Sequence, residues 1–356
     1  MTLPFRRTQQ WAVALAILSL SIACSGREAG TPAARAAGDL AYVTNEDSRE
    51  LTVVDVTTDS VVATIPVGTR PRGVAVSPDG RTVYVALSGS PKCPPSMSDE
   101  ECARLAVDKS QDGVAVVDVA TRKTVKVLPA GSDPEAFAVS PDGTRLFVSN
   151  EDADSASIID LTTDRVIANV KVGNEPEGVT LQPDGKLVWV TGESEHDITG
   201  FDAATGEVVA RIDVKGERPR SIGFLPDGSR AYTTNEFSSS LSVIDMKAHA
   251  VLRIIELPEG SRPMGIAVTR DGSRIYVSNG RGKTVSVIDP ATDSVLATVE
   301  VGMRPWGIAL SSDGTKLYTA NGPGNDITVV DTRTMTVLKR LPAGKIPWGV
   351  AVGPRP

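Results

Sequence analysis

Short apolar, β-branched runs of four to seven residues alternate with Gly, Asp, Asn and Pro turns along nearly the whole chain. Around Gly265 the pattern is plain. Gly265-Ile266-Ala267-Val268 is followed by an Arg270-Asp271-Gly272 turn, then by Ile275-Tyr276-Val277-Ser278-Asn279. A third run, Thr284 to Asp289, and a fourth, Ser294 to Val301, complete the unit. Runs of this length and composition predict strands, and Asp-Gly predicts the tight turns between them. No sustained 3.6-residue period appears after the N-terminal segment, which excludes a helical solenoid.

The unit recurs. The phrase at Arg304 to Gly314, Arg-Pro-Trp-Gly-Ile-Ala-Leu-Ser-Ser-Asp-Gly, reappears in degenerate form from Arg70, Asp133, Glu175, Arg218 and Arg262, and in truncated form at Ile346 to Val352. Ser77, Ser140, Gln182, Leu225, Thr269, Ser311 and Gly353 occupy one equivalent position, with spacings of 63, 42, 43, 44, 42 and 42. The long first spacing is one period plus an insertion at residues 88–110. Four strands per period of about 42 residues is the blade of a β-propeller. The expected fold is therefore all-β, a single seven-bladed β-propeller over residues 39–356. Its first strand-two sequence, Leu40 to Asn45, precedes any strand one, and its last strand one, Trp348 to Val352, precedes no strand two. The ring is expected to close by pairing these two termini in one blade, which removes the open seam.

The second strands read Tyr42-Val43-Thr44-Asn45, Phe147-Val148-Ser149-Asn150, Tyr232-Thr233-Thr234-Asn235, Tyr276-Val277-Ser278-Asn279 and Tyr318-Thr319-Ala320-Asn321. With Val-Ile-Asp at 243–245 and 287–289, the chain resembles the YVTN β-propeller repeat family over residues 39–353. The resemblance implies the fold; that family includes surface-layer and exported proteins without an assigned role. Related propellers include lactonases and the haem-carrying domain of nitrite reductase.

Residues 1–23 read as an export signal: Arg6 and Arg7, then an apolar run from Trp11 to Ala23 too short to span a bilayer comfortably. Ser21-Ile22-Ala23 before Cys24 resembles the end of a bacterial lipoprotein signal, although Leu20 stands one place early. Lipidation would account for the odd cysteine of three, leaving Cys93 to pair with Cys102 in a disulfide. A zinc site is the alternative for those two, but no histidine stands near them. Residues 24–38 form a flexible tether. The expected location is the periplasmic or outer side of a membrane, with contact through the lipid alone.

Net charge is −7, more negative once Arg6 and Arg7 depart, and aromatics are 4% of the chain. Both features argue against nucleic acid as a partner. Only two histidines occur; His196 and His249 fall in loops of opposite faces, so neither a histidine metal pair nor a Ser194–His196–Asp197 triad is expected. No Cys-x-x-Cys-His occurs, which excludes covalent c-type haem, and no cofactor or metal is assigned. The repeated aspartates Asp55, Asp118, Asp160, Asp202, Asp245, Asp289 and Asp331 read as turn residues, and Asn45, Asn150, Asn235, Asn279 and Asn321 as structural.

Candidate chemistry gathers where strand four leads into strand one. Pro and Gly there are structural. The residue between them varies: Arg72, Glu135, Glu177, Arg220, Met264, Trp306 and Trp348. Trp306 and Trp348 fall in adjacent blades and are expected to form an aromatic wall beside Arg72 and Arg304. Otherwise the tryptophans plug the channel and the charges pair across it. The insertion is expected over the same face, as insertions in repeat proteins tend to mark the binding side. Function is read as a monomeric binding or interaction scaffold for an unknown protein or small molecule of the cell envelope, through Arg72, Glu135, Glu177, Arg220, Arg304, Trp306 and Trp348, with no catalytic residues. The alternative is a lactonase-like metal-dependent hydrolase, using carboxylates such as Glu135 and Glu177, or an accessory to a periplasmic redox enzyme.

Overall fold

The computed structural model describes residues 1, 38–92, 97–102 and 104–356. The export signal, Cys24, nearly all of the tether, and Cys93 lie outside the described residues, so the lipidation and disulfide expectations fall there. No described helix is long and apolar enough to cross a membrane.

Seven four-stranded antiparallel sheets form the ring expected from the period. Blade 1 joins the two ends of the chain: Pro347–Gly353 is its inner strand, followed outward by Leu40–Asn45, Glu50–Asp55 and Ser60–Pro66. Tyr42 pairs with Ala351 and Val43 with Val350 across this seam. Glu46 N donates to Ile346 O at 2.9 Å, and Thr44 Oγ1 accepts from Gly349 N at 2.8 Å. Blades 2 to 7 begin on inner strands Val74–Val76, Pro134–Val139, Pro176–Leu181, Pro219–Phe224, Pro263–Val268 and Pro305–Leu310.

Burial explains why the second and third strands are continuous apolar runs rather than alternating ones. Leu146 to Asn150 and Ala156 to Ile159 are buried at every position, because each sheet is covered on both faces by its neighbours. The packing runs between blades: Tyr42, Leu51 and Val53 of blade 1 meet Val83, Val85, Ala115 and Val117 of blade 2. Outermost strands such as Arg165–Lys171 alternate, with one face in solvent. In all seven blades the third-to-fourth strand register shifts just before the repeated aspartate, as between Val53 and Val54 or Val287 and Ile288. That bulge adds the strong twist an outer blade edge needs.

The aspartates behave as turn residues: Asp55 Oδ1 accepts from Thr57 N at 2.8 Å and Thr58 N at 3.0 Å. The asparagines are structural in a different way, bridging strands two and three. Each is fully buried at the end of strand two and donates to a hydroxyl on strand three: Asn45 to Thr52 (3.0 Å), Asn150 to Ser157 (2.9 Å), Asn235 to Ser242 (2.8 Å), Asn279 to Ser286 (2.8 Å) and Asn321 to Thr328 (2.9 Å). Blade 2 replaces both partners at once, with Leu87 and Ala115. Blade 4 replaces one: Gly192 stands in the asparagine position, and Thr199 Oγ1 is left buried without a partner.

Candidate functional site

Two kinds of loop build one face of the ring. Where strand four leads into strand one, the residue before proline is left-handed in every blade: Arg70, Asp133, Glu175, Arg218, Arg262, Arg304 and Ile346 have φ between 46° and 60°. This is an uncommon region for such residues, and its sevenfold recurrence marks a built corner. The residue after strand two meets that corner. Glu46, Glu151, Glu193, Glu236, Gly280 and Gly322 donate their backbone N–H to the carbonyls of Ile346, Asp133, Glu175, Arg218, Arg262 and Arg304. Each blade therefore presents three positions to the mouth: the residue before proline, the one after it, and the one after strand two, which is Gly in blades 6 and 7.

In blades 2 to 5 these residues form a buried ionic arc. Arg72 (3% exposed) donates from Nη1 to Glu135 and from Nη2 to Asp133, and its Nη1 lies 3.3 Å from Glu151 Oε2. Arg220 Nη1 contacts Glu177 and stands 2.6 Å from Glu193 Oε2, while its Nε is 2.8 Å from Glu236 Oε2. Arg218 pairs with Glu193 and lies 3.6 Å from Glu236. Burial alone would lower the Arg72 pKa, but Glu135, Asp133 and Glu151 outweigh it and raise it. Arg220 is raised in the same way, burial being overcome by Glu177, Glu193 and Glu236. Carboxylates outnumber cations here, and two respond. Desolvation and the neighbouring Glu177 push Glu193 up to about 9. Glu135 rises well above the ordinary carboxylate range, chiefly through burial, despite Arg72; its Oε2 is buried without a hydrogen-bond partner.

Oxygens of Glu135, Glu151 and Glu177 lie within 4.8 Å of one another, a spacing that suits a divalent cation. Arg72 already bonds the first two of them, so a guanidinium supplies the positive charge at this point. The insertion is clamped over the same arc. Lys92 reaches Glu46 (2.9 Å) and Asp47 (3.0 Å) of blade 1, Lys109 pairs with Asp152 of blade 3, and Arg70 donates to Ser90 O at 2.8 Å.

The other arc is different. Arg304 stacks its guanidinium 5.1 Å above the Trp306 ring, and Trp306 meets Trp348 at 6.4 Å between centroids. Phe237, 48% exposed, is flanked by Arg262 (4.2 Å) and Arg218 (4.8 Å). The expected aromatic wall thus exists beside Arg304. Arg72, expected there as well, instead turns its guanidinium to the carboxylates of blade 3. The seven predicted site residues fall into two groups: Arg72, Glu135, Glu177 and Arg220 in the ionic arc, and Arg304, Trp306 and Trp348 in the aromatic one. Missing from the sequence reading were Glu46, Glu151, Glu193, Glu236 and Phe237. For the glutamates the signal was present as the residue following the last position of strand two, which is Glu, Ser or Gly in every blade.

The histidines are structural. His249 packs edge-on against buried Trp189 at 5.5 Å, and His196 Nδ1 accepts from Arg218 N at 3.2 Å. A groove of about 550 Å³ on the opposite face is lined by turn residues including Asp271 and Asp313. Those carboxylates are already engaged by their own turns, through Ser273 N and Thr315 N at 3.0 Å each.

The architecture defines a seven-bladed β-propeller whose mouth divides into an ionic and an aromatic arc. Two propeller family profiles match parts of it: the YNCE-like beta-propeller over residues 96–230 and the seven-bladed lactonase propeller over residues 171–347. Among solved structures, the chain is similar to Kuenenia stuttgartiensis hydrazine synthase (24% identity, 79% of this chain and 89% of that one, TM-score 0.67). It is similar to a putative 6-phosphogluconolactonase from Bacteroides uniformis (17% identity, 89% and 100% covered, TM-score 0.71). It is also similar to the dihydro-heme d1 dehydrogenase NirN (18% identity, 87% and 74% covered, TM-score 0.62). At these identities the likeness concerns the fold. No curated protein sequence matches the chain.

Proposed function

We propose that this protein is an exported, lipid-anchored binding propeller that takes its ligand or partner on the mouth face. One observation carries the reading. Of the seven positions that follow the proline entering strand one, the four charged ones, Arg72, Glu135, Glu177 and Arg220, are spent on pairs within the ring. The other three, Met264, Trp306 and Trp348, are half-buried and lie beside Arg262 and Arg304. Large aromatic and Arg side chains left uncommitted at a concave mouth are what binding hot spots are made of. Replacing Trp306 and Trp348 together by Ala should abolish capture of envelope components by the immobilised protein, with the melting temperature held as a control. Equal capture by wild type and variant would remove the reading. The anchor is tested separately by mass spectrometry of the mature N-terminus, where an unmodified Cys24 would rule it out.

A second reading is favoured by the raised Glu193: a carboxylic acid kept protonated near neutral pH is a proton donor of the kind hydrolases use. The partial match to the lactonase propeller profile supports it. Assay of a lactone panel with wild type and Glu193→Gln decides; turnover absent from wild type, or unchanged in the variant, sinks it. Metal analysis of the same preparation tests the metal-dependent form of that idea. The likeness to hydrazine synthase and NirN keeps a redox accessory role in view, and copurification with an envelope redox enzyme is its test.

A further inference from the structure

The ring contains its own rule for neutralising arginine at the mouth. An arginine before proline pairs with the glutamate that follows strand two of the preceding blade. Arg70 of blade 2 takes Glu46 of blade 1 at 2.8 Å, and Arg218 of blade 5 takes Glu193 of blade 4. Blades 6 and 7 keep the arginine and lose the partner. For Arg304 the equivalent of that glutamate is Gly280. For Arg262 it is Glu236, already held by Arg220 at 2.8 Å and shared with Arg218 at 3.6 Å. Blade 7 carries a second Gly, Gly322, where blades 3, 4 and 5 carry Glu.

Among the described residues, Arg262, Arg281 and Arg304 have no carboxylate within ion-pair distance. Arg262 Nη1 is enclosed and donates to nothing. Burial lowers the Arg304 pKa; Glu236 opposes the shift, while Arg281, Arg220 and Arg218 add to it. An arginine cannot release its proton at ordinary pH, so this local excess of positive charge persists and is costly without an anion. Two guanidinium faces are already taken by rings, Arg262 on Phe237 and Arg304 on Trp306. Stacking uses the face of the guanidinium and leaves its in-plane N–H groups to donate, the geometry that matches a carboxylate or phosphate.

We infer that the arc of blades 5 to 7 is an oxyanion-binding site, in which Arg304 and Arg262 hold a carboxylate or phosphate group and Trp306 and Trp348 receive the flat body that carries it. The glycines at 280 and 322 are part of the site. A Cβ on Gly322 would stand 3.1 Å from the Trp306 ring, and one on Gly280 would stand 3.0 Å from Met264 Cγ. Small residues there leave the tryptophan and the arginines uncovered. This inference rests on the mouth being the binding face and adds the chemistry of what it binds.

The test uses two probes on the purified protein at low ionic strength: benzene-1,3,5-tricarboxylate, which has carboxylates on a flat ring, and inorganic phosphate, which has no ring. Calorimetry gives affinity and tryptophan fluorescence reports the ring. Saturable binding of the tricarboxylate with a fluorescence change is expected, weakened at least tenfold in Arg304→Gln/Arg262→Gln. Gly280→Glu, which returns to Arg304 the partner the repeat prescribes, should weaken it comparably while the protein still melts cooperatively. If that variant fails to fold, the double Gln variant alone decides. Phosphate binding with the same arginine dependence and no tricarboxylate binding would support the oxyanion site and remove the flat body. No saturable binding of either probe, or binding unchanged in the Gln variant, overturns the inference. Should neither probe bind while Trp306→Ala/Trp348→Ala still loses capture, only the anion assignment falls. Should both fail, the mouth reading falls with it.

Discussion

Arg72→Met tests whether the ionic arc is built into the ring or merely decorates it. The guanidinium is buried and satisfies Asp133 and Glu135, themselves buried, with Glu151 at 3.3 Å. Methionine keeps much of the stem volume and removes the charge. Removing one partner of a buried pair costs about 3–5 kcal/mol, because the remaining charge stays desolvated. With a melting temperature change of roughly 2 °C per kcal/mol for a large domain, the expected loss is on the order of 6–10 °C at pH 7. The loss should shrink as the pH is lowered, since protonation of Glu135, whose pKa burial already raises, relieves the uncompensated charge. A double-mutant cycle with Glu135→Gln isolates the pair: the Gln substitution should be more favourable in the Arg72→Met background than alone. There is a second consequence. An ion about 2.4 Å from each ligand oxygen spans oxygens up to roughly 4.8 Å apart, and Glu135, Glu151 and Glu177 fall within 4.8 Å. With the guanidinium gone, calcium should raise the melting temperature of Arg72→Met and leave wild type unmoved. Thermal and urea unfolding read all of this. A loss under about 1 kcal/mol at pH 7, or one independent of pH, would refute the argument.

Three further outcomes follow from the same geometry. Glu193 has its pKa raised in the folded state, to about 9 from an ordinary 4.5, so the fold binds its proton more tightly than the unfolded chain does. Its contribution is present in full below pH 4.5 and is lost as pH rises toward 9, with a slope of at most about 1.4 kcal/mol per pH unit; Glu193→Gln should therefore match wild type near pH 4.5 and gain on it steadily above, and a parallel pair of stability curves would contradict the shift. Asn279→Ala strips the hydroxyls of buried Ser286 (2.8 Å) and half-buried Thr284 (2.9 Å) of their donor and should cost about 1–3 kcal/mol in urea unfolding, while Gly302→Ala, whose Cβ would sit 2.3 Å from Asn321 Cγ, should cost at least as much as Asn321→Ala. Deleting residues 345–356 removes the inner strand of blade 1 and uncovers Ala41 and Val43 beside Val350 and Val352; a truncated protein that melts cooperatively within a few degrees of wild type would show that the seam does not hold the ring.

Blade number, strand order and terminal closure were legible because each rests on a local requirement met seven times. Tyr276, Val277 and Val287 had to be apolar to sit between two sheets, and Gly272 had to tolerate φ of 68° in its turn. Repetition turned weak signals into one strong one. The asparagine bridge was legible too, though it was not read: a hydroxyl stands seven residues after Asn45, Asn150, Asn235, Asn279 and Asn321, and the blade with Leu87 has Ala115 instead. Pairing at the mouth was not legible in the same way. Arg72 and Glu135 are 63 residues apart, Arg220 and Glu177 are 43, and nothing in either local sequence says which of its neighbouring blades a long side chain will lean toward. That choice is made by geometry between blades, where Arg72 reaches forward to blade 3 and Arg220 back to blade 4.

The useful property of such a ring is that every blade is a control for the others. Blades 3 and 4 crowd carboxylates together at the three mouth positions, from Asp133 to Glu193, without a cation of their own. They are tolerable because Arg72, Arg218 and Arg220 lean in from either side, and because Glu193 and Glu135 can hold protons. Blades 6 and 7 show the converse imbalance, arginine without carboxylate, but no neighbour leans in to correct it. Blade 1 offers only Glu46, already paired with Arg70 and Lys92. An acidic protein that balances one side of its mouth this thoroughly and leaves two arginines uncompensated on the other has the charge pattern of a site completed from outside. The ionic arc is balanced within the ring, and the imbalance opposite it is the charge pattern behind the binding role proposed for Arg262, Arg304 and the two tryptophans beside them.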